Sequence, residues 1–169
     1  MAAFVCLTLA RRQFTNIGLK SDDFLELQRR LSNMRSDSAV SFQMPITIED
    51  LDIDHMGHVN NAVYLSWAQR IAIDFWNAKA TPEMINSRLW VARNHNIEYY
   101  KPAFFGDALS GFLTFKEYKG IRVLFHIEIM RGHDVLARVQ SWWCSVDATT
   151  HRPAAIAKSF LENLVARPG

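Results

Sequence analysis

Cysteine is nearly absent from this chain. Cys6 and Cys144 are the only two, far apart and without CxxC spacing, which argues against a disulfide framework or a cysteine zinc site and fits a reducing compartment. Cys144, in "SWWCS", reads as a small buried thiol. Long apolar runs are missing too. None approaches the ~20 residues of a membrane span, so no membrane-spanning segment is expected. Charge of either sign is not in excess: 19 Lys and Arg stand against 17 Asp and Glu, a net +2. The basic residues are scattered, with no stripe interleaved with aromatics, so nucleic acid is not expected as a partner. There is no internal repeat and no low-complexity tract.

What is present is material for a core. Hydrophobic residues make up 49% of the 169 positions, enough for one globular domain with a short appendage. The appendage is read as residues 1–38 and the domain as 39–169, with "RSDSA" as linker. The first twenty residues carry Arg11, Arg12 and Lys20 and no acid before Asp22. A secretory signal would place its charge ahead of the apolar run, and here it follows. A cytoplasmic protein is the first expectation. An organellar, for example mitochondrial, presequence is the alternative, because such segments bear Arg and lack acids. "SDDFLELQRRLSNM" predicts a short amphipathic helix capped by Ser21, with Phe24, Leu25, Leu27 and Leu31 at helical spacing.

Along the domain, "VSFQMPITI" (Val40 to Ile48) alternates as a strand, with Pro45 placing it at an edge or a bulge. A polar loop, "DIDHMGHVNN", precedes a nearly uncharged helix. In that helix Tyr64, Ala68, Ile71, Ala72 and Phe75 share a face, widened by Val63 and Trp67. After Pro82 the pattern changes to strands: "LWVARNHNIEYY", "DALSGFLTFKEY", "IRVLFHIEIM" and "VLARVQSWWCSVD", with turns at "KG" and "RGHD". "AAIAKSFLENL" predicts a closing helix. This order implies an α+β fold: one antiparallel sheet curled around one long central helix. The aromatics Trp67, Phe75, Trp76, Trp90, Tyr99 and Tyr100 are expected mostly in the core. "NHN" at Asn94–Asn96 is expected on a solvent-facing strand.

The stretch "DIDHMGHVNNAVYLSWAQ" resembles the opening motif of the hotdog-fold acyl-CoA thioesterases, the 4-hydroxybenzoyl-CoA thioesterase-like group, written D-x-D-x-x-G-H-V-N-N-x-x-Y. "IEYYKPAFFGD" resembles the family's second strand and its turn, and "GHDVLARVQSWWCSVDATTHRPAAI" its final strand and tail. The resemblance covers roughly Val40 to Ile156 and implies the hotdog fold.

Thioester hydrolysis needs a carboxylate that activates water or attacks the carbonyl. It also needs a donor for the developing oxyanion, which a helix N-terminus supplies. The loop offers Asp54, and the helix begins near Asn60 or Asn61. The resemblance implies that Asp54 is the base or nucleophile and that Asn61 polarises the carbonyl through its main-chain N–H. It also implies a homodimer or homotetramer with sites between subunits, and an acyl-CoA substrate. His58 has two readings, orienting Asp54 or the thioester, or a structural histidine. Asp52 is read as a turn or capping residue and His55 as solvent-facing. Gly57 is expected at φ > 0, letting substrate approach, and Asn60, a natural N-cap, lies beside it as the second substrate-binding position. No metal is expected: "DIDHMG" imitates a calcium loop, but its twelfth position is Val63 rather than Glu. No cofactor is expected either. Arg93, Lys101, Lys119, Arg122 and Arg131 are available for the phosphates of coenzyme A, with nothing to choose among them. Two other readings stand beside hydrolysis: a hotdog (de)hydratase on acyl thioesters, and a non-catalytic acyl-CoA-binding module. The acyl group, and coenzyme A versus acyl-carrier protein, are not legible.

Overall fold

The computed structural model describes residues 41–156 and 159–161. The helix expected over residues 21–31 and Cys6 lie outside the described residues. Of the closing helix expected over residues 154–164, residues 159–161 are helical, whereas 154–156 are not, the Ala154 N–H donating instead to the Ser145 carbonyl at 3.0 Å; the other five lie outside the described residues.

The architecture follows the sequence order. Strand β1 (Ser41–Ile46) leads through a 3-10 turn (Asp50–Asp52) to helix α1 (Asn61–Lys79). A short helix α2 (Pro82–Ser87) follows, then β2 (Arg88–Tyr99), β3 (Leu109–Lys119), β4 (Arg122–Arg131) and β5 (Asp134–Asp147). The five strands form one sheet in the order β1-β3-β4-β5-β2, and every pairing is antiparallel. The meander β3-β4-β5 turns at Gly120 (φ +67) and Gly132 (φ +59), each the first residue of a two-residue hairpin turn, where positive φ favours glycine. Among the described residues Pro45 sits in a strand paired only with β3, the kind of edge position at which proline is tolerated.

Helix α1 lies across one face of the sheet. Tyr64, Trp67, Ala68, Ile71, Ala72, Phe75 and Trp76 are buried, the expected stripe extended by Trp76, whereas Val63 is only half-buried. Phe75 meets Phe42 and Phe125 edge-on, and Trp76 meets Trp90 and Phe160. Beneath them lie Leu113, Phe115, Val123, Phe125, Ile127, Ile129, Val139 and Trp143, all buried. Burying each such side chain contributes about 1.5–3 kcal/mol, so this shared layer is what fixes the helix on the sheet. Cys144 is buried, as expected.

Three expectations are corrected. First, α2 stands where a direct passage into strand was expected. Thr81 caps it, accepting from the Met84 N–H at 3.4 Å, and Pro82 occupies its first turn. Second, His95 turns inward while Asn94 and Asn96 stay exposed. A bulge between Ala92 and Asn94 inserts one residue, which swaps the faces of everything after it. Trp90 and Ala92 face the helix side before the bulge, and His95 and Ile97 after it. Third, Tyr99 and Tyr100 are 40% and 48% exposed, because they lie at the end of β2, where only the first turn of α1 reaches Tyr99, through Asn61 and Tyr64.

Candidate active site

The loop before α1 is a miniature hairpin. Asp52 closes its base: its Oδ2 accepts the Glu49 N–H at 2.9 Å and its carbonyl accepts the Asn60 N–H at 2.8 Å. Ile53 pairs with Val59. At the tip, the Asp54 N–H donates to the His58 carbonyl (2.9 Å) and the Gly57 N–H to the Asp54 carbonyl (3.0 Å). Gly57 has φ +80, and a Cβ added there would meet only open space, so backbone conformation alone asks for glycine. His55 is exposed.

This closure brings Asp54 and His58 together. Asp54 Oδ1 accepts the Met56 N–H at 2.8 Å, and Oδ2 lies 3.5 Å from His58 Nδ1. His58 Nδ1 is also 3.2 Å from the Val59 carbonyl. Both neighbours of Nδ1 only accept, so in the neutral ring Nδ1 carries the hydrogen and Nε2 keeps its lone pair. Both side chains are largely shielded, at 16% and 24% exposure.

Helix α1 begins directly after. Asn60 is its N-cap, and its Oδ1 accepts the Ala62 N–H at 2.9 Å. The Asn61 N–H has no acceptor among the described residues. It stands at the positive end of a 19-residue helix, where a developing negative charge is stabilised. A cleft of about 330 Å³ opens here, lined by Met56, His58, Asn61, Tyr64, Tyr99 and Lys101 among others. The loop is stapled to the strand connection behind it: the Val59 N–H donates to the Ala103 carbonyl (2.9 Å), and the Ala103 N–H to the Tyr64 hydroxyl (3.0 Å). Burial pushes the Tyr64 phenol upward, so it remains protonated.

Removing the cap tests this local frame. Asn60→Ala leaves the Ala62 N–H without its acceptor and should cost about 1 kcal/mol, read as a lower urea midpoint. Asn60→Asp, which keeps an acceptor, should retain most of that stability.

Of the five basic candidates, Lys101 lines the cleft but is paired with Asp134 at 2.7 Å. Arg131 is held by Asp107 at 2.6 Å and Lys119 by Glu117 at 2.7 Å. Arg93 and Arg122 have no acid partner among the described residues. Burial works to raise the Asp107 carboxyl, but the Phe104 N–H and Arg131 outweigh it, and the group lies below its usual value. A larger groove, about 390 Å³, lies on the sheet face away from α1, lined by Thr114, His126, Gln140 and the paired Glu128 and Arg138. No residue of the loop from Asp52 to Asn61 lines it.

Sequence reasoning missed Tyr99. Its hydroxyl donates to the Asn61 carbonyl at 2.9 Å, across 38 residues of chain, and no spacing in the sequence announces that bond.

A family model described as a thioesterase-like superfamily matches residues 48–164. No curated protein matches the chain in sequence. Among solved structures, a 1,4-dihydroxy-2-naphthoyl-CoA thioesterase from Synechocystis is similar at TM-score 0.63 and 17% identity, covering 75% of this chain and 96% of that one. A thioesterase from Thermus thermophilus, complexed with coenzyme A and zinc, is similar at TM-score 0.64 and 18% identity, covering 72% and 95%. A probable thioesterase from Escherichia coli is similar at TM-score 0.62 and 22% identity, covering 75% and 98%.

Proposed function

This chain belongs to the thioesterase-like superfamily, and from that premise we propose that it hydrolyses an acyl-CoA thioester to the free acid and coenzyme A. The observation that carries the reading is the Asn61 N–H at the head of α1, without an acceptor among the described residues, in a cleft lined by His58, whose Nδ1 lies 3.5 Å from the Asp54 carboxylate. The thioester carbonyl oxygen accepts from that N–H. Asp54 takes a proton from water, which attacks the carbonyl carbon, and the C–S bond breaks to release the thiolate, which is then protonated. In the second route, the Asp54 carboxylate attacks the carbon itself, the C–S bond breaks to release the coenzyme A thiolate, which is then protonated, and water hydrolyses the resulting anhydride to free acid and the regenerated carboxylate. His58 Nδ1–H steadies the Asp54 carboxylate in either route. Gly57 and Asn60 do not line the cleft themselves; they act on it indirectly, Gly57 by its turn and Asn60 by setting the start of the helix.

A panel of acyl-CoAs with released thiol as the readout tests the proposal. Thiol release from at least one acyl class is expected. Binding across the panel without turnover would make the chain a binding module instead. Crotonyl-CoA assayed in the same sample for hydrolysis and for hydration separates the hydratase reading, in which the acid and histidine come from different segments rather than one loop.

We also propose a homo-oligomer. Strand β2 runs twelve residues and, among the described residues, pairs on one side only, with β5, which leaves an edge that proteins normally cover. Leu89 and Val91 on it are 46% and 47% exposed. Trp90 Nε1 and His95 Nε2 are buried without a hydrogen-bond partner among the described residues. A second copy joined edge to edge would cover this strand. A solution mass of two or four times the 19.4 kDa chain is expected, and a fully active monomer would overturn the proposal. No helix among the described residues is long and apolar enough to cross a membrane.

A further inference from the structure

Resting on the thioesterase reading, we propose that Tyr99 is a positioning residue whose phenol holds the first residue of α1 and so keeps the Asn61 N–H aimed at the thioester carbonyl. The peptide between Asn61 and Ala62 is held at both of its polar ends. Its carbonyl, that of Asn61, accepts from the Tyr99 hydroxyl at 2.9 Å, and its N–H, that of Ala62, donates to Asn60 Oδ1 at 2.9 Å. With that peptide plane fixed, the direction of the Asn61 N–H depends only on the φ and ψ of Asn61 itself. The N-cap supplies one of these ties from within the helix. Tyr99 supplies the other from a different element, and a first helical turn otherwise has few constraints.

Tyr99 can act as a strut because it is itself held. Its backbone pairs with Ala137 at the end of β2, and the next two N–H groups, of Tyr100 and Lys101, both donate to the Leu136 carbonyl at 2.8 and 3.2 Å. Its ring meets Tyr64 edge-on, centroids 5.4 Å apart at 88°. Tyr64 is buried in α1 and accepts from the Ala103 N–H. The two tyrosines thus cross: one reaches from the helix to the strand connection, the other from the strand end to the helix. Burial pushes the Tyr99 phenol above its ordinary value, so the donor hydrogen persists through neutral and mildly alkaline pH.

Tyr99→Phe removes only the hydroxyl and keeps the ring contact. On whichever acyl-CoA the wild type hydrolyses, kcat should fall about tenfold while KM stays within about twofold, since a loosened donor weakens the transition state more than substrate binding. A merely structural role would lower the unfolding midpoint without this split, so unchanged kcat in the folded variant overturns the proposal. Hydrogen exchange of the α1 first-turn amides, Val63 to Leu65, gives a reading independent of turnover. Exchange should be faster in Tyr99→Phe, and an unchanged rate overturns the clamp on its own. If the wild type releases no thiol from any acyl-CoA, the thioesterase reading fails, and the exchange experiment still decides whether Tyr99 holds the helix start.

Discussion

Asp54→Asn is expected to lower thioester turnover at least ~100-fold, the scale of lost general-base catalysis, while leaving the fold and acyl-CoA binding in place. Asn matches Asp in size and keeps an oxygen that can accept the Met56 N–H, now held at 2.8 Å, so the turn at the loop tip should survive. What it lacks is a basic or nucleophilic carboxylate. Its amide can also place an N–H₂ donor opposite His58 Nδ1 where an acceptor now stands at 3.5 Å, which would leave the imidazole without its carboxylate neighbour. Circular dichroism and calorimetric titration with a hydrolysable acyl-CoA, now stable in the variant, check fold and binding. Near wild-type turnover in pure Asp54→Asn protein would remove Asp54 from the chemistry. Single-turnover hydrolysis in heavy-oxygen water, followed by mass analysis of the peptide carrying Asp54, tests direct attack: label in the carboxylate establishes an anhydride opened at the Asp54 carbonyl, and trapping the acyl group on Asp54 with hydroxylamine tests an anhydride opened at the acyl carbon.

Gly111→Ala is expected to destabilise the protein by about 1–3 kcal/mol, the cost of overpacking a filled core. Gly111 is buried in β3 between Met44 and Ile129. A Cβ built there would stand 2.2 Å from Ile71 Cδ1, 3.0 Å from Ile71 Cγ1 and 3.3 Å from Ile46 Cδ1. Turning the end of the Ile71 side chain moves Cδ1 but not Cγ1. Moving Cγ1 requires a new χ1, and a β-branched residue in a helix has essentially one. Ile71 is also fully buried, so it has little space to yield into. The sign is diagnostic: glycine inside a strand is ordinarily worse than alanine by roughly 0.5–1 kcal/mol, so without the clash the substitution would stabilise. Denaturant unfolding of Gly111→Ala reads the net effect, and a midpoint at or above wild type would contradict it. Ile71→Val deletes the nearest atom, so the double variant should be less destabilised than the sum of the two single changes, as expected of residues in contact.

The seating of α1 on the sheet rests on the same close approach. With glycine at 111, α1 settles onto β3, and Phe75 and Trp76 then reach their aromatic partners in β1, β4 and β2. The helix N-terminus is thereby held at the end of the sheet where the loop at Asp54 and the strand end at Tyr99 converge.

Much of this was legible in one dimension because its causes are local. The stripe from Tyr64 to Phe75 repeats with the helical period, so the buried face of α1 could be read directly. Pro45 marked an edge, and the glycines at 120 and 132 marked hairpin turns, since each acts through its own backbone torsions. Asn60 as cap, Asp52 as the closing residue of its turn and Gly57 at positive φ are likewise properties of a few consecutive residues, as is the α+β order of elements. The short helix α2 carried its own signal, Thr81 ahead of Pro82, but six residues are too few to show a period.

Only the folded chain decided the rest, because those features depend on residues far apart in sequence. The bulge after Ala92 reverses which side chains of β2 face inward, and it arises from pairing with β5 rather than from any pattern in β2. It is why His95 points at Ser141, 2.9 Å away, instead of at solvent. Tyr99 and Tyr100 look like core residues by type, yet both are partly exposed, because the strand end meets only the first turn of the helix, which touches Tyr99. The bond from Tyr99 to Asn61 and the clash awaiting a side chain at Gly111 exist only once α1 is laid on the sheet. Hydrophobic periodicity determines which face of an element is buried; the partner it meets, and at what distance, is set by packing of the whole domain.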